Sequence, residues 1–153
     1  MKTKTVVKTS VFQANKEEVF SKLQKMETLQ YIAAPYVSFV PENGLKHTEW
    51  KEGAVFSFRI YLFGKISLGI HKIHVITFDK DLGISTRENN KHIPIWNHKI
   101  FLEPVKDKKT KTRYTDVVEI GAGRKTALVA LWAKVFYAHR QRKWKKLLKT
   151  ERN

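Results

Sequence analysis

Four histidines fall in two apolar stretches, His71 and His74 in "GIHKIHVITF" and His92 and His98 in "KHIPIWNHKIFLEP". Imidazole is both a common metal ligand and the usual general base near neutral pH, so the spacing must be asked about each chemistry. A metal site needs its ligands on one side of an element. His71 and His74 are three apart, which in a strand sends them to opposite faces. His92 belongs to a turn beside Pro94, six residues before His98. No HExxH pattern or histidine–carboxylate triad spacing occurs. The chain has no cysteine, which excludes thiolate ligands, disulfides and a cysteine nucleophile. Ser57 and Ser67 stand singly in strands, with no base and orienting group at a diagnostic spacing. The expectation is therefore no metal and no cofactor.

His98 is the best-placed member of the set. Period-two alternation puts Trp96, His98, Ile100 and Leu102 on one face of a strand and Asn97, Lys99 and Phe101 on the other. The first face is the more continuously apolar and should turn inward. The same parity in "RYTDVVEI" groups Asp116 with Tyr114, Val118 and Ile120. A carboxylate on an apolar face demands a partner, and His98, Arg59, Arg113 and Arg140 are the candidates. Two roles fit His98. One is a structural tie to Asp116 or Thr115, the other a polar contact that orients a ligand. If the site is catalytic, proton transfer or dehydration is the reaction it suits.

The elements that must position these residues follow from punctuation and period. Residues 3–12 read as a strand, and Asn15 caps a helix carrying Val19, Phe20, Leu23 and Met26, with Glu18 as the third residue of a capping box. Leu29 and Ile32 extend the face into a second short helix, which Pro35 stops. Then come "YVSFV", the turn "PENG", "EWKEG", "AVFSFRIYLF", "GKISLGIHKIHVITF", "ISTREN", "IWNHKIFLEP", a basic turn "VKDKKTK" and "RYTDVVEI". The gaps are too short for crossover helices, so an antiparallel meander is expected. From Arg124 the period turns helical, with Leu128, Leu131, Trp132, Val135, Phe136 and His139 as one broad face. A single α+β domain over residues 1–153 results, with the long helix covering the concave side of a curved sheet. Curvature leaves room between the two layers, so a cavity lined by Trp96, Tyr61, Trp132 and Phe136 is expected, with His98, Asp116, Tyr114 and Arg59 supplying polar contacts.

The net charge is +16, a field that draws anionic lipid, nucleic acid or acidic partners whatever the fold. It gathers in "KDKKTKTR" (106–113) and "RQRKWKKLLKTER" (140–152). The second combines cations with Trp144 and Leu148, a pattern compatible with an anionic membrane surface, although cations near a helix C-terminus also complement its dipole. No run of 18 apolar residues and no apolar signal core occurs, so neither a transmembrane segment nor a secretory leader is expected. Together with the absence of cysteine, that suits the cytoplasm.

The order strand, two short helices, six or seven strands and long terminal helix resembles the helix-grip fold of the START-related, Bet v 1-like (SRPBCC) superfamily. The likeness covers the whole chain. "VFQANKEEVFSKLQKMETLQYIAAP", "WNHKIFLEP", "TRYTDVVEI" and "FYAHRQRKWKKLL" are similar to a bacterial polyketide cyclase/dehydratase-like or ligand-binding branch. The sequence departs from it at Ile100, where the branch carries a second histidine. The resemblance implies a curved antiparallel sheet of about seven strands wrapped around the helix, and a small or medium hydrophobic ligand, lipid-like or aromatic. Two other functions stay open: a cyclase- or dehydratase-like enzyme, and a basic module for anionic membrane or nucleic acid.

Overall fold

The computed structural model describes residues 1–42 and 50–151. Residues 43–49, on which part of the expected "PENG" turn and the start of "EWKEG" fall, lie outside the description, as does Arg152 of the second basic cluster. Strand β1 (Lys4–Phe12) is followed by helices α1 (Lys16–Leu23) and α2 (Met26–Ala33). Strands β2 (Val37–Pro41), β3 (Val55–Leu62), β4 (Ile66–Asp79), β5 (Gly83–Asn89), β6 (Ile95–Val105) and β7 (Lys108–Gly121) come next. A short 3-10 turn leads into helix α3 (Thr126–Glu151). The expected cap is present: the Asn15 side chain accepts from the Glu18 backbone N–H at 2.8 Å. Helix α2 stops before Pro35, whose ring cannot continue it.

The seven strands form one antiparallel sheet in the order β1-β7-β6-β5-β4-β3-β2. Six consecutive strands make the meander, and β1 closes it beside β7. Register shifts at Ile60/Tyr61 and at Val75/Thr77 mark bulges. Each adds local twist and bends its strand. This is the α+β helix-grip architecture.

Two expectations need correction. The basic stretch 105–111 is not one long turn. Only Lys106 and Asp107 turn; β7 begins at Lys108, and Lys108 and Thr112 already pair with β6 across a register shift. Lysine and threonine alternate there on an exposed hairpin arm, which a strand tolerates as well as a loop does. The expected face of α3 is also only partly the buried one: Phe136 is buried and Trp132 and His139 are half-buried, but Leu128, Leu131 and Val135 remain 69%, 60% and 48% exposed. The inward stripe runs through Thr126, Ala130, Ala133, Tyr137, Arg140, Gln141, Trp144 and Leu148, at steps of three and four. Ala130 and Ala133 let the helix approach the sheet closely, and Tyr137 and Trp144 bring more buried volume than the aliphatic stripe offers. Turning the helix this way places Trp144 and Leu148 in the core, where they cannot meet a membrane.

Two apolar clusters fill the interior. One gathers Phe56, Phe58, Ile73, Trp96, Val118 and Tyr137; the other gathers Phe12, Ile84, Ile100, Tyr114, Trp144 and Leu148. Polar residues separate them on three successive elements. His98 stands between Trp96 and Ile100, Asp116 between Tyr114 and Val118, and Arg140 and Gln141 between Tyr137 and Trp144. A polar belt therefore crosses the core from sheet to helix.

Candidate functional site

The belt is built from strand register. His98 on β6 lies opposite Thr86 of β5 and Val118 of β7, so Asp116 is its same-face diagonal neighbour. His98 Nε2 donates to Asp116 Oδ1 at 2.6 Å, and Gln141 Nε2 from α3 donates to Asp116 Oδ2 at 2.9 Å. The same Gln141 amide donates to the Lys8 carbonyl at 2.8 Å, joining helix, β7 and β1. All three side chains are buried. A buried carboxylate is tolerable on these terms, because both of its oxygens are occupied.

A second polar group adjoins the first. Glu88 Oε1 accepts from His71 Nε2 at 2.8 Å, and Oε2 accepts from the Thr86 hydroxyl at 2.6 Å. Asn90 holds His71 Nδ1 at 3.0 Å, while its own carbonyl accepts the backbone N–H groups of His92 and Ile93, each at 2.9 Å. Burial pushes the Glu88 carboxyl up, but the His71 hydrogen bond, the fields of His71 and His98 and the Thr86 hydroxyl outweigh it. The group is held below its ordinary value. His71 and His74 do face opposite sides, His71 buried and His74 exposed, and His92 is exposed in the loop between β5 and β6.

Arg140 projects from α3 into this belt and is only 5% exposed. Its guanidinium carbon lies 5.1 Å from the centroid of the Tyr137 ring and 5.7 Å from that of Phe136. Burial works against the charge. The fields of Tyr137, Asp116, Tyr114 and Glu88 more than offset that, and hold the group above its ordinary value. Tyr137 in turn accepts from Trp96 Nε1 at 3.0 Å, and burial raises its phenol well beyond the normal range.

Two chambers flank Arg140 and Glu88. The first, about 70 Å³, is walled by Leu23, Leu29 and Ile32 of the short helices and by Ile73, Ile84 and Ile100 of the sheet, with Thr86 and His98 also facing it. The second, about 60 Å³, is walled by Val37, Ile60, Leu68, Trp96, Trp132 and Phe136. Phe39, Glu88 and Arg140 line both. A larger hollow of about 520 Å³ lies on the opposite face of the sheet, among Thr5, Arg87, Asn97, Lys99 and Glu119. Its walls mix Ile76 and Val117 with charged and polar side chains, so it is less apolar than the two chambers.

The residues expected from sequence are distributed as follows. His98 lines the first chamber, and Trp96, Trp132 and Phe136 line the second. Asp116 stands behind His98 and orients it. Tyr114 is fully buried between Phe12 and Trp144, within the second apolar cluster. Arg59 is exposed, and Tyr61 is half-buried beyond the bulge in β3; neither walls a chamber. Glu88, Thr86, His71, Asn90 and Gln141 were not anticipated, and Arg140 only as a partner for Asp116. The signal for Glu88 was present in "ISTREN", where parity places Ile84, Thr86 and Glu88 on one face. Among the described residues no group of three or more His, Asp or Glu side chains is arranged to share a metal ion.

A family model described as Domain of unknown function (DUF8410) matches residues 10–148. The chain belongs to DUF8410. No protein of curated function matches this DUF8410 member in sequence. Solved structures do match it in shape. Protein CV1439 from Chromobacterium violaceum superimposes with a TM-score of 0.74 at 14% identity, covering 94% of this chain and 96% of that one. A START superfamily protein from Mycobacterium smegmatis gives 0.72 at 13% identity, covering 95% and 97%. Ara h 8.0201, a Bet v 1 allergen, gives 0.60 at 12% identity, covering 94% and 99%. At these identities the likeness is one of fold, and it establishes that this DUF8410 chain has the START-related, Bet v 1-like fold. No helix among the described residues is long and apolar enough to cross a membrane.

Proposed function

We propose that this DUF8410 protein binds a small, mainly apolar molecule between the sheet and α3, in the two chambers that meet at Arg140 and Glu88. The observation that carries the reading is the character of those chambers: apolar walls from four or more elements, with a few polar groups converging at one point. Size restricts the ligand. For scale, an apolar cavity of ~150 Å³ holds benzene, and sites for drug-sized molecules run to about 300–1,000 Å³. Each chamber is below both, so the ligand is short or slender and spans the pair past Phe39. An apolar ligand is also what the START-related resemblance implies. The cysteine-free chain suits work in the reducing cytoplasm. Native mass spectrometry after mild purification is expected to show a small organic adduct that organic solvent extracts. A protein that carries nothing and refuses every apolar probe in titration would overturn the proposal.

A second reading is proton-transfer catalysis of the cyclase or dehydratase kind. It is favoured by His98, which Asp116 holds through Nε2 while the ring faces the first chamber. That is the geometry of an oriented general base. Under it, His98→Ala keeps the fold and ligand affinity but loses turnover; unchanged turnover would eliminate it.

An anionic surface as partner is supported by the charge of +16 alone. The apolar residues nearest the C-terminal cations are buried. A contact of this kind would therefore be electrostatic, or would use the exposed Leu128, Leu131 and Val135 further up the helix.

A further inference from the structure

We infer that the ligand of these chambers is a carboxylic acid, bound as its monoanion through the guanidinium of Arg140, with its apolar body extending along the two chambers. The inference rests on the reading of the chambers as a binding site and specifies what they take. Its basis is an imbalance in the belt. Asp116, buried, and Glu88, largely buried, lie near Arg140, yet each is already engaged by other donors. Asp116 has His98 on one oxygen and Gln141 on the other; Glu88 has His71 on one and Thr86 on the other. Arg140 makes no hydrogen bond or ion pair with the described residues, and its Nε is buried without a partner. A permanent cation, 5% exposed and lining both chambers, is thus left with the four donors of its terminal nitrogens for something outside the chain.

Geometry narrows what that something is. The Tyr137 and Phe136 rings lie 5.1 and 5.7 Å from the guanidinium carbon, contacts that use none of its N–H donors. A planar fork of donors matches two coplanar oxygens, the bidentate pairing that carboxylate provides. Phosphate is a poorer fit. It carries more charge at neutral pH, which Asp116 and Glu88 beside the site would repel more strongly than a monoanion. Apolar walls on both sides then require that the acid carry a hydrocarbon or aromatic body.

The test compares acids with their near-isosteric amides: hexanoate against hexanamide, and benzoate against benzamide, by calorimetric titration of the full-length protein. The acid of at least one pair is expected to bind tenfold or more tighter than its amide. Arg140→Met should abolish that difference, and Arg140→Lys, which keeps the charge but not the fork, should reduce it several-fold. Without ligand, Arg140→Met is expected to melt somewhat lower than the wild type, because the fields of Asp116 and Glu88 favour this charge in the folded state, while the apolar stem is kept. Were Arg140→Met to unfold, Arg140→Lys would still decide the matter. Acid and amide binding alike would overturn the carboxylate while leaving the apolar site standing. A preference that survives both substitutions would place the anion site elsewhere. Chloride displacing hexanoate at matched ionic strength would reduce the site to one for a simple ion. Failure of all four probes to bind would overturn both this inference and the proposed function.

Discussion

Removing the Asp116 carboxylate would strand two donors at once, the imidazole of His98 and the amide of Gln141, in a region closed to water. Asp116→Ala is accordingly expected to cost about 3–5 kcal/mol, read from urea denaturation. A loss under ~1 kcal/mol would mean that the pair is not buried as described. Glu88 gives a pH-dependent counterpart. Folding holds its carboxyl below the reference 4.5, so the folded state binds this proton less readily than the unfolded chain does. The resulting stabilisation is complete above about pH 4.5 and is lost as pH falls through the lower folded value. Glu88→Gln should flatten the acid limb of the stability profile over that range, and an unchanged limb would contradict the assignment. Part of this chemistry was legible in the sequence. Alternation fixes a face, which is why His98 and Asp116 could be placed inward from "WNHKIF" and "RYTDVVEI". Which inward residues touch is a matter of strand register, which no single strand encodes. So the partner of Asp116 is open among four candidates, His98, Arg59, Arg113 and Arg140. The Glu88–His71 pair, joined across β4 and β5, went unseen.

Strand order and the two short helices follow from turn residues and period, and the structure matches them closely. Helix α3 shows where such reading fails. Its sequence offers two apolar stripes about one residue apart in rotation, near 100° on the helix. The aliphatic stripe is the more conspicuous in a one-dimensional pattern. Only packing against the sheet favours the stripe with alanines at its close-approach end and Tyr137 and Trp144 further along. The choice also decides function, since it swings Arg140 and Gln141 into the core and leaves Leu128, Leu131 and Val135 outside. A paired substitution tests it. Leu131→Asn is expected to change stability by no more than about 0.5 kcal/mol, as at an exposed site, whereas Ala133→Leu should cost about 1–3 kcal/mol by overpacking the contact with the sheet. Urea midpoints showing the reverse order would restore the sequence-read face.

At the scale of the whole molecule, a strongly cationic exterior encloses a small apolar interior divided by one polar belt. The two features make separable predictions. If the charge of +16 acts through its long-range field, binding to phosphatidylserine-containing vesicles should be measurable at low ionic strength and fall steeply toward physiological salt. Vesicles of phosphatidylcholine alone should not bind. Equal binding to both would point to an apolar contact through the exposed leucines of α3. The interior is tested independently of charge by asking where a small ligand goes. The most direct measurement is a methyl-resolved NMR titration of the full-length protein with hexanoate. Saturable shifts are expected at the chamber-lining isoleucines Ile73, Ile84 and Ile100 and at Ile60 or Ile93 on the other side of Arg140. The exposed methyls of Leu128, Leu131 and Val135 should stay unmoved. Shifts confined to those surface methyls, or none at any methyl up to saturating ligand, would contradict a binding site between the sheet and the helix.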